Sequence, residues 1–137
     1  MPLTLPQVYF ESPCITICFD ADERLGMAVW TGHVNGQELR EALLLCTHVT
    51  DHYKLTRWLA DNRKMKAFTP DDQQWMADNI VPHIINSSLR RMATLVSEDE
   101  EQVAALEQLV QRAGTLPDLS LRDFTDEEEA RQWLMQD

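Results

Sequence analysis

The feature that most constrains the fold is a change of hydrophobic period near residue 34. Before this point polar and apolar residues alternate, as in residues 14–19, where Ile15, Ile17 and Phe19 share one face. After it, apolar residues recur at steps of three and four, and short apolar runs separate the helical segments. The chain is therefore predicted to begin with strands and to continue as alternating strands and helices.

Six strands are predicted from the apolar runs. They lie at residues 7–11, 14–19, 27–34, 56–60, 92–96 and 120–124. A polar, turn-rich link over residues 20–26 joins the second strand to the third, which is typical of an antiparallel hairpin. A polar, basic loop is expected over residues 61–68.

Four helices are predicted from their start signals. In the first, Asn35 is placed to act as the N-cap and Glu38 completes a capping box. Thr69-Pro70-Asp71-Asp72 starts the second with a capping hydroxyl, a proline where no amide donor is needed, and acids near the positive end of the helix dipole. Pro82 is expected to kink or end this helix.

The last two helices begin with similar signals. Ser97 and Glu100 form a capping box for the third helix, which Gly114 closes. Thr125 and Glu128 form a capping box for the fourth. The inward-facing stripe of the third helix is predicted to be Val103, Leu106, Val110 and Ala113.

The order β-β-β-α-β-α-β-α-β-α predicts one α/β domain over residues 1–137. Right-handed crossovers between alternating strands and helices make the sheet largely parallel, and the N-terminal hairpin adds antiparallel strands to it. About four helices are expected to pack on this mixed sheet. No internal repeat, low-complexity tract or linker interrupts the chain.

Five segments combine this element order with aromatic anchors. They are Val29-Trp30-Thr31-Gly32-His33-Val34, Arg57-Trp58-Leu59-Ala60-Asp61, Thr69-Pro70-Asp71-Asp72-Gln73-Gln74-Trp75, residues 91–97, and Phe124-Thr125-Asp126-Glu127-Glu128-Glu129-Ala130-Arg131-Gln132-Trp133-Leu134. The pattern, over about residues 8–135, resembles STAS domains and their SpoIIAA-like (anti-sigma-factor antagonist-like) relatives, in particular uncharacterised bacterial members. This fold is loosely akin to the lipid-binding Sec14 fold.

The resemblance implies a SpoIIAA-like fold and a non-enzymatic binding or regulatory module. Classical members bind an anti-sigma kinase and are switched by phosphorylation of a serine where a helix follows a central strand. Residues 61–69 depart from this pattern, because they contain no serine and lack the Asp-Ser-Ser-Gly signature. Thr69 is the one hydroxyl there, and a phosphate on it would face Asp71 and Asp72, so we expect a cap at this position and not a phosphorylation switch.

The charge of the chain restricts its partners. Its 23 Asp and Glu residues against 12 Lys and Arg give a net charge of -11, which argues against nucleic acid and anionic membranes as partners. The excess acid lies after residue 97, and seven of these acids fall in the opening turns of two predicted helices. Acids there complement the helix dipole. Helix starts therefore explain the excess of acid after residue 97 better than an acidic interaction tail does.

The cysteines indicate a reducing compartment. Cys14 and Cys18 on one strand would lie about 13 Å apart, too far for a disulfide. With Cys46 they make an odd number without metal-type spacing. No secretory signal and no apolar run long enough for a membrane span is visible, so a cytoplasmic protein is expected.

Catalytic and metal chemistry find little support in the sequence. His48 and His52 have a spacing that can chelate zinc, but no third ligand accompanies them, so solvated surface histidines are the favoured interpretation. Cys46 lies on an apolar stripe, where burial would raise its pKa and suppress its reactivity. No nucleophile elbow, glycine-rich phosphate loop or dinucleotide fingerprint is present. We therefore predict no enzyme, no metal and no cofactor.

The best candidate site comes from topology. Asp61, Asn62 and Arg63 follow one predicted strand, and Ser97 and Glu98 follow another that is expected to be its neighbour. Ligands of open parallel sheets favour the carboxyl ends of the strands, so these residues are candidates for a ligand or partner site. The alternative is that they satisfy loop amides and cap a helix.

Two functions remain open. The first is a cytoplasmic module that acts by protein–protein contact, as a homodimer through its N-terminal strands, because the sheet face of Thr16 and Cys18 needs cover if helices pack on one side. The second is a carrier or sensor of a small apolar or lipid-like ligand, by analogy with the Sec14 fold. A deep apolar cavity between helices and sheet favours the second, whereas a filled core excludes it.

Overall fold

In the computed structural model, six strands form one sheet whose spatial order follows the chain order. The structure describes residues 5–114 and 116–136. The strands β1 to β3 pair antiparallel, and β3 to β6 pair parallel. They are β1 (Gln7–Glu11), β2 (Ile15–Asp20), β3 (Leu25–Gly32), β4 (Arg57–Met65), β5 (Arg91–Leu95) and β6 (Ser120–Phe124).

Helices cover both faces of this sheet. They are α1 (Gly36–Tyr53), α2 (Pro70–Asn79), α3 (Val81–Ile85), α4 (Glu100–Ala113) and α5 (Glu127–Leu134). The connections from β3 to β6 join neighbouring strands, and crossovers of one hand place α1 to α4 on the same face. The short helix α5 follows the last strand and packs on the opposite face against β4, β5 and β6. The predicted α/β class, with an antiparallel hairpin and parallel βα units, is confirmed.

Two apolar cores follow from the alternation of side chains along the strands. The first lies between the sheet and helices α1 to α4, and the second lies beneath α5. The first core contains Ile15, Ile17 and Phe19 of β2. This confirms the prediction that these three side chains share one face.

The structure corrects the prediction for β4. This strand continues through Met65, whereas a loop was expected from Asp61 onward. Its second half stays in the sheet because Lys64 and Met65 pair with Thr31 and Gly32 of β3, after an irregularity in the register. Asp61, Asn62 and Arg63 are thus strand residues and not loop residues.

Three of the predicted capping boxes differ from the observed helix starts. Asn35 occupies the N-cap position of α1 without a side-chain hydrogen bond. Helix α4 is capped by Asp99, whose Oδ1 accepts the Glu101 N–H at 3.0 Å, and not by Ser97. Helix α5 has Asp126 at its N-cap position, one residue after the predicted Thr125.

The second helix starts and ends as predicted. Thr69 is the N-cap of α2, with its hydroxyl accepting the Asp72 N–H at 3.1 Å and Pro70 as the first helical residue. Helix α2 ends at Asn79, and a separate turn of helix, α3, carries Pro82 near its start. A proline lacks the amide donor that would continue α2, which explains the break between α2 and α3.

The sheet face of Thr16 and Cys18 was predicted to need cover from a second chain. At Cys18 this prediction is wrong. The Cys18 side chain is 6% exposed and belongs to the second core, together with Leu5 and Leu25. Thr16 is half-buried. The chain therefore covers part of this face itself, and the dimer needs a different argument.

Gly26 is a close-packing position at the start of β3. The indole of Trp58 lies over it, so a Cβ placed on Gly26 would come within 2.3 Å of the Trp58 ring. Trp58 is 5% exposed and lies in the first core. The ring and the backbone of the neighbouring strand can approach so closely only because residue 26 has no side chain.

We expect Gly26→Ala to lower the free energy of unfolding by about 2–4 kcal/mol, because the added methyl group overlaps the indole. Urea denaturation measures this loss. The matched control is the same substitution in a Trp58→Leu background, where the smaller side chain leaves room. An equal loss in both backgrounds would contradict the assigned contact.

Candidate functional site

The first core contains a cavity of about 190 Å³ between the sheet and helices α1 to α4. Trp58, Met92 and Leu121 form one cross-strand row of its floor, and Ala60 and Thr94 form the next. Met92, Thr94 and Ala60 are only half-buried, although β4 and β5 are interior strands of the sheet. The helices above them therefore do not close completely over the floor.

The helices supply the walls of the cavity. Leu43 comes from α1, Met76 from α2 and Ile84 from α3, and Leu106 and Leu109 face them from α4. Among the described residues, no Lys, Arg, Asp or Glu lines the cavity. The walls are thus suited to an apolar, uncharged molecule.

Two buried amides stand out among the polar side chains of the lining, which also include His83, Thr50 and Ser87. Asn62 of β4 is 5% exposed and Gln102 of α4 is 1% exposed, and both line the cavity. The Asn62 Oδ1 and the Gln102 Oε1 have no hydrogen-bond partner. The Gln102 Nε2 lies 3.4 Å from the Sδ of Met65, which is a weak acceptor. Each unpaired amide oxygen costs about 1–3 kcal/mol when it is buried.

Gln102 was missed by the sequence analysis because a glutamine was not counted in the inward stripe of α4, although Leu106, Val110 and Ala113 of the predicted stripe do line the cavity. Leu109 is 8% exposed, whereas its neighbour Val110, which was predicted to face inward, is 39% exposed. Gln102, Leu106 and Leu109 follow one another at steps of four and three, so Gln102 continues the observed stripe. A glutamine at helical spacing from two leucines was the available signal.

A polar bridge, here termed the α2–α4 clasp, joins the two helices on either side of the cavity. It consists of Gln73, Gln74, Gln108 and Arg112. The Gln73 Nε2 donates to the Ala105 carbonyl at 3.1 Å and to the Gln108 Oε1 at 3.2 Å. The Arg112 guanidinium donates to the side-chain oxygens of Gln73 and Gln74. These bonds are largely exposed and can exchange with water, so the helices are held together less firmly here than by core packing.

Asp61 and Arg63, which were predicted as site residues, lie on the opposite face of the sheet from the cavity. The Arg63 guanidinium contacts the Asp61 carboxylate at 2.7 and 3.0 Å and the Glu127 carboxylate of α5 at 2.7 Å. The hydrogen bond to Asp61 raises the pKa of Arg63 further above its usual range. This cluster attaches α5 to β4, while Asn62 points to the cavity between its two neighbours.

Ser97 and Glu98, the other predicted site residues, lie where β5 leads into α4. The Ser97 hydroxyl is buried and donates to the Met65 carbonyl at 2.6 Å, and it accepts the Asp99 N–H at 2.9 Å. Glu98 lies at the surface, with its carboxylate 3.3 Å from the Lys64 Nζ. The five predicted residues thus do not share one pocket, and Asn62 alone among them lines the cavity.

Thr69, considered above as a phosphorylation position, has its hydroxyl engaged twice. It accepts the Asp72 N–H and donates to the Asp72 Oδ2 at 2.9 Å. The same carboxylate oxygen accepts the Gly36 N–H at 2.9 Å, and Arg40 contacts the other oxygen at 3.4 Å. Asp72 is almost fully buried, so a phosphate on Thr69 would be placed beside a buried carboxylate.

The cysteines and histidines do not form a chemical centre in the described part of the chain. Cys14, Cys18 and Cys46 are free thiols, and no three His, Cys, Asp or Glu side chains among the described residues come close enough to hold a metal. The rings of His48 and His52 pack against each other at 6.1 Å. Cys46 lines the cavity, and burial raises the pKa of its thiol to about 12, which confirms the predicted direction.

None of the helices in the described residues has the length and apolar character needed to cross a bilayer.

Comparison with known proteins agrees with the observed fold. A family model described as SpoIIAA-like matches residues 27–135. The chain belongs to the SpoIIAA-like family. The match runs from within β3 to the residue after α5, so the cavity floor, α2 and α4 all lie inside it.

The SpoIIAA-like chain is also similar to a solved structure. This is the 2.25 Å crystal structure of an uncharacterized protein of the DUF3478 family, with a SpoIIAA-like fold, from Shewanella loihica PV-4. The two have 17% sequence identity and a TM-score of 0.56, with 98% of each chain covered, which shows a common fold. The search of curated proteins found no match.

We expect the Cys46 thiol to react with iodoacetamide about a thousandfold more slowly at pH 8 than an ordinary cysteine, because little of it is thiolate at a pKa of about 12. The rate should rise about tenfold per pH unit well above pH 9, where ordinary thiols level off. Peptide mapping of native protein, with urea-unfolded protein as the control, measures it. Native and unfolded rates within tenfold of each other would contradict the assignment.

Proposed function

We propose that this SpoIIAA-like protein is a non-enzymatic binding module that holds one small apolar molecule between its helices and its sheet, as a carrier or sensor. The observation that carries the proposal is the cavity of about 190 Å³, whose lining among the described residues is mostly apolar and contains no Lys, Arg, Asp or Glu. An engineered apolar cavity of about 150 Å³ in another protein binds benzene, so this volume suits a molecule somewhat larger than benzene.

The energetic cost of the cavity supports a functional role. At about 24 cal/mol per Å³ of enclosed cavity, 190 Å³ sets an upper bound of about 4.5 kcal/mol on this cost, and the opening to solvent lowers it. Domains of this kind are stable by only about 5–15 kcal/mol, so this cost is a large share of the total. A ligand that fills the void would recover much of it.

The cavity has a route to solvent. Val110 of α4 and Leu121 of β6 line it and are 39% and 38% exposed. The half-buried Met92 lies beside Leu121 in the same cross-strand row. We place ligand entry between α4 and β6, where a bound molecule would also cover exposed apolar side chains.

The remaining features of the molecule support a location in the cytoplasm. Three free cysteines suit a reducing compartment. The net charge of -11 supports a ligand or partner other than nucleic acid or an anionic membrane surface.

We expect ethylbenzene to raise the melting temperature of the protein and to change its tryptophan fluorescence, because Trp58 forms part of the cavity floor. Ala60→Leu and Ala113→Leu should each lose this response by filling the void from the floor or from α4. Ala104→Leu makes the same change at an exposed position of α4 and should keep it. No response of the unsubstituted protein to ethylbenzene would refute ligand binding in the cavity.

A second candidate function, protein–protein contact, rests on β1. This strand is an edge of the sheet, and its Val8 and Phe10 are 64% and 38% exposed. An exposed edge with apolar side chains can pair with a second copy of the chain, so we propose a homodimer through the N-terminal strands.

Light scattering at micromolar concentration tests the homodimer. We expect twice the monomer mass, and we expect Val8→Lys to return the protein to the monomer by placing a charge on the edge strand. Leu44→Lys, at an exposed position of α1, is the control and should leave the mass unchanged. A monomer in the unsubstituted protein would exclude this candidate.

A further inference from the structure

We infer that the cavity selects neutral molecules that carry one hydrogen-bond donor at one end of an apolar body. This inference rests on the proposed ligand binding and specifies the chemistry of the ligand. It comes from the two buried amide oxygens without partners, Asn62 Oδ1 and Gln102 Oε1, on residues that line the cavity. Buried polar groups are nearly always hydrogen-bonded, so two orphans at one cavity need an explanation.

The two amides belong to the same end of the cavity. Asn62 lies four residues after Trp58 along β4, a distance of about 13 Å. Gln102 lies in the first turn of α4 and contacts Met65, three residues after Asn62. The opposite end is bounded by Leu119 and Leu121 at the start of β6. The two amide oxygens without partners therefore lie at one end of the cavity.

The end of the cavity with the two amides requires a donor and rejects ionised groups. Both orphan atoms are carbonyl oxygens, which accept hydrogen bonds. A carboxylate or phosphate would be buried without a free counter-charge, because no Lys or Arg among the described residues lines the cavity and the His83 ring, which does line it, is paired with Asp51 at 2.7 Å. A phenolic or aliphatic hydroxyl satisfies both conditions.

The amides can reach such a group by a small movement. The terminal torsion of an Asn or Gln side chain is broad, so the carboxamide turns toward the cavity at little cost. The present contact of Gln102 with a thioether is weak and does not oppose this movement.

Three small molecules of similar size test the inference. 4-Ethylphenol donates a hydrogen bond, its isomer 4-methylanisole accepts but does not donate, and ethylbenzene does neither. We expect 4-ethylphenol to bind about tenfold more tightly than 4-methylanisole, as measured by calorimetry or NMR titration. Equal affinities would overturn the inference while leaving the proposed binding of apolar molecules intact, and no binding of any of the three would overturn both.

Two variants locate the preference. Gln102→Met and Asn62→Leu keep the size of the side chain and remove the amide. A hydroxyl donates one proton, so at least one of the two variants should abolish the preference for 4-ethylphenol, and both should leave ethylbenzene binding in place. Each should also raise the melting temperature of the ligand-free protein, because an unpaired buried polar group is removed. Gln111→Met makes the same change at an exposed position of α4 and should alter neither property.

The melting temperature of the ligand-free variants shows whether the Asn62 and Gln102 amides await a ligand or stabilise the protein. If Gln102→Met lowers it, or if the preference survives in both variants, the amides are satisfied by the protein or by a retained water molecule, and the inference is wrong.

Discussion

Each parallel strand pair from β3 to β6 is joined by a crossover of the same hand, and the rest of the structure depends on this constraint. Because the strands are added in chain order, α1, α2 and α4 are all placed on one face and must share it. The other face would be bare if the chain ended at β6, and α5 supplies its cover. The positions of both cores, and of the cavity in the first, follow from this arrangement.

Buried and half-buried carboxylates hold the helices to this frame. Asp72 connects the starts of α1 and α2 by accepting the Gly36 N–H and the Thr69 hydroxyl. Asp99 caps α4 with one oxygen and holds the Ala67 N–H with the other, at 3.1 Å. Acids that were attributed to helix dipoles thus also make tertiary contacts, as Glu127 does with Arg63. A paired or hydrogen-bonded carboxylate is strongly located, which fixes the helix starts better than apolar contact alone.

The elements of the fold could be predicted because hydrophobic period and turn chemistry are local properties. The extension of β4 could not, since the charges of Asp61 and Arg63 indicated a loop, and their partner Glu127 is far away in the chain. The cavity could not be predicted either, because its volume depends on how closely the helices pack over the sheet, which no local sequence pattern specifies. Asn62 was a predicted site residue, but as part of a loop with Asp61 and Arg63, and the alternation of the strand separates it from both.

The alternation along β4 has a consequence for how proteins of this shape can diversify. Position 62 faces the cavity, while positions 61 and 63 face α5 and carry its attachment. Polarity at position 62 can therefore change without disturbing the ion pairs that stabilise the fold, because the two sets of contacts lie on opposite sides of one sheet. A single strand thus allows the polarity of the cavity to change during evolution while the ion pairs on the other face are retained.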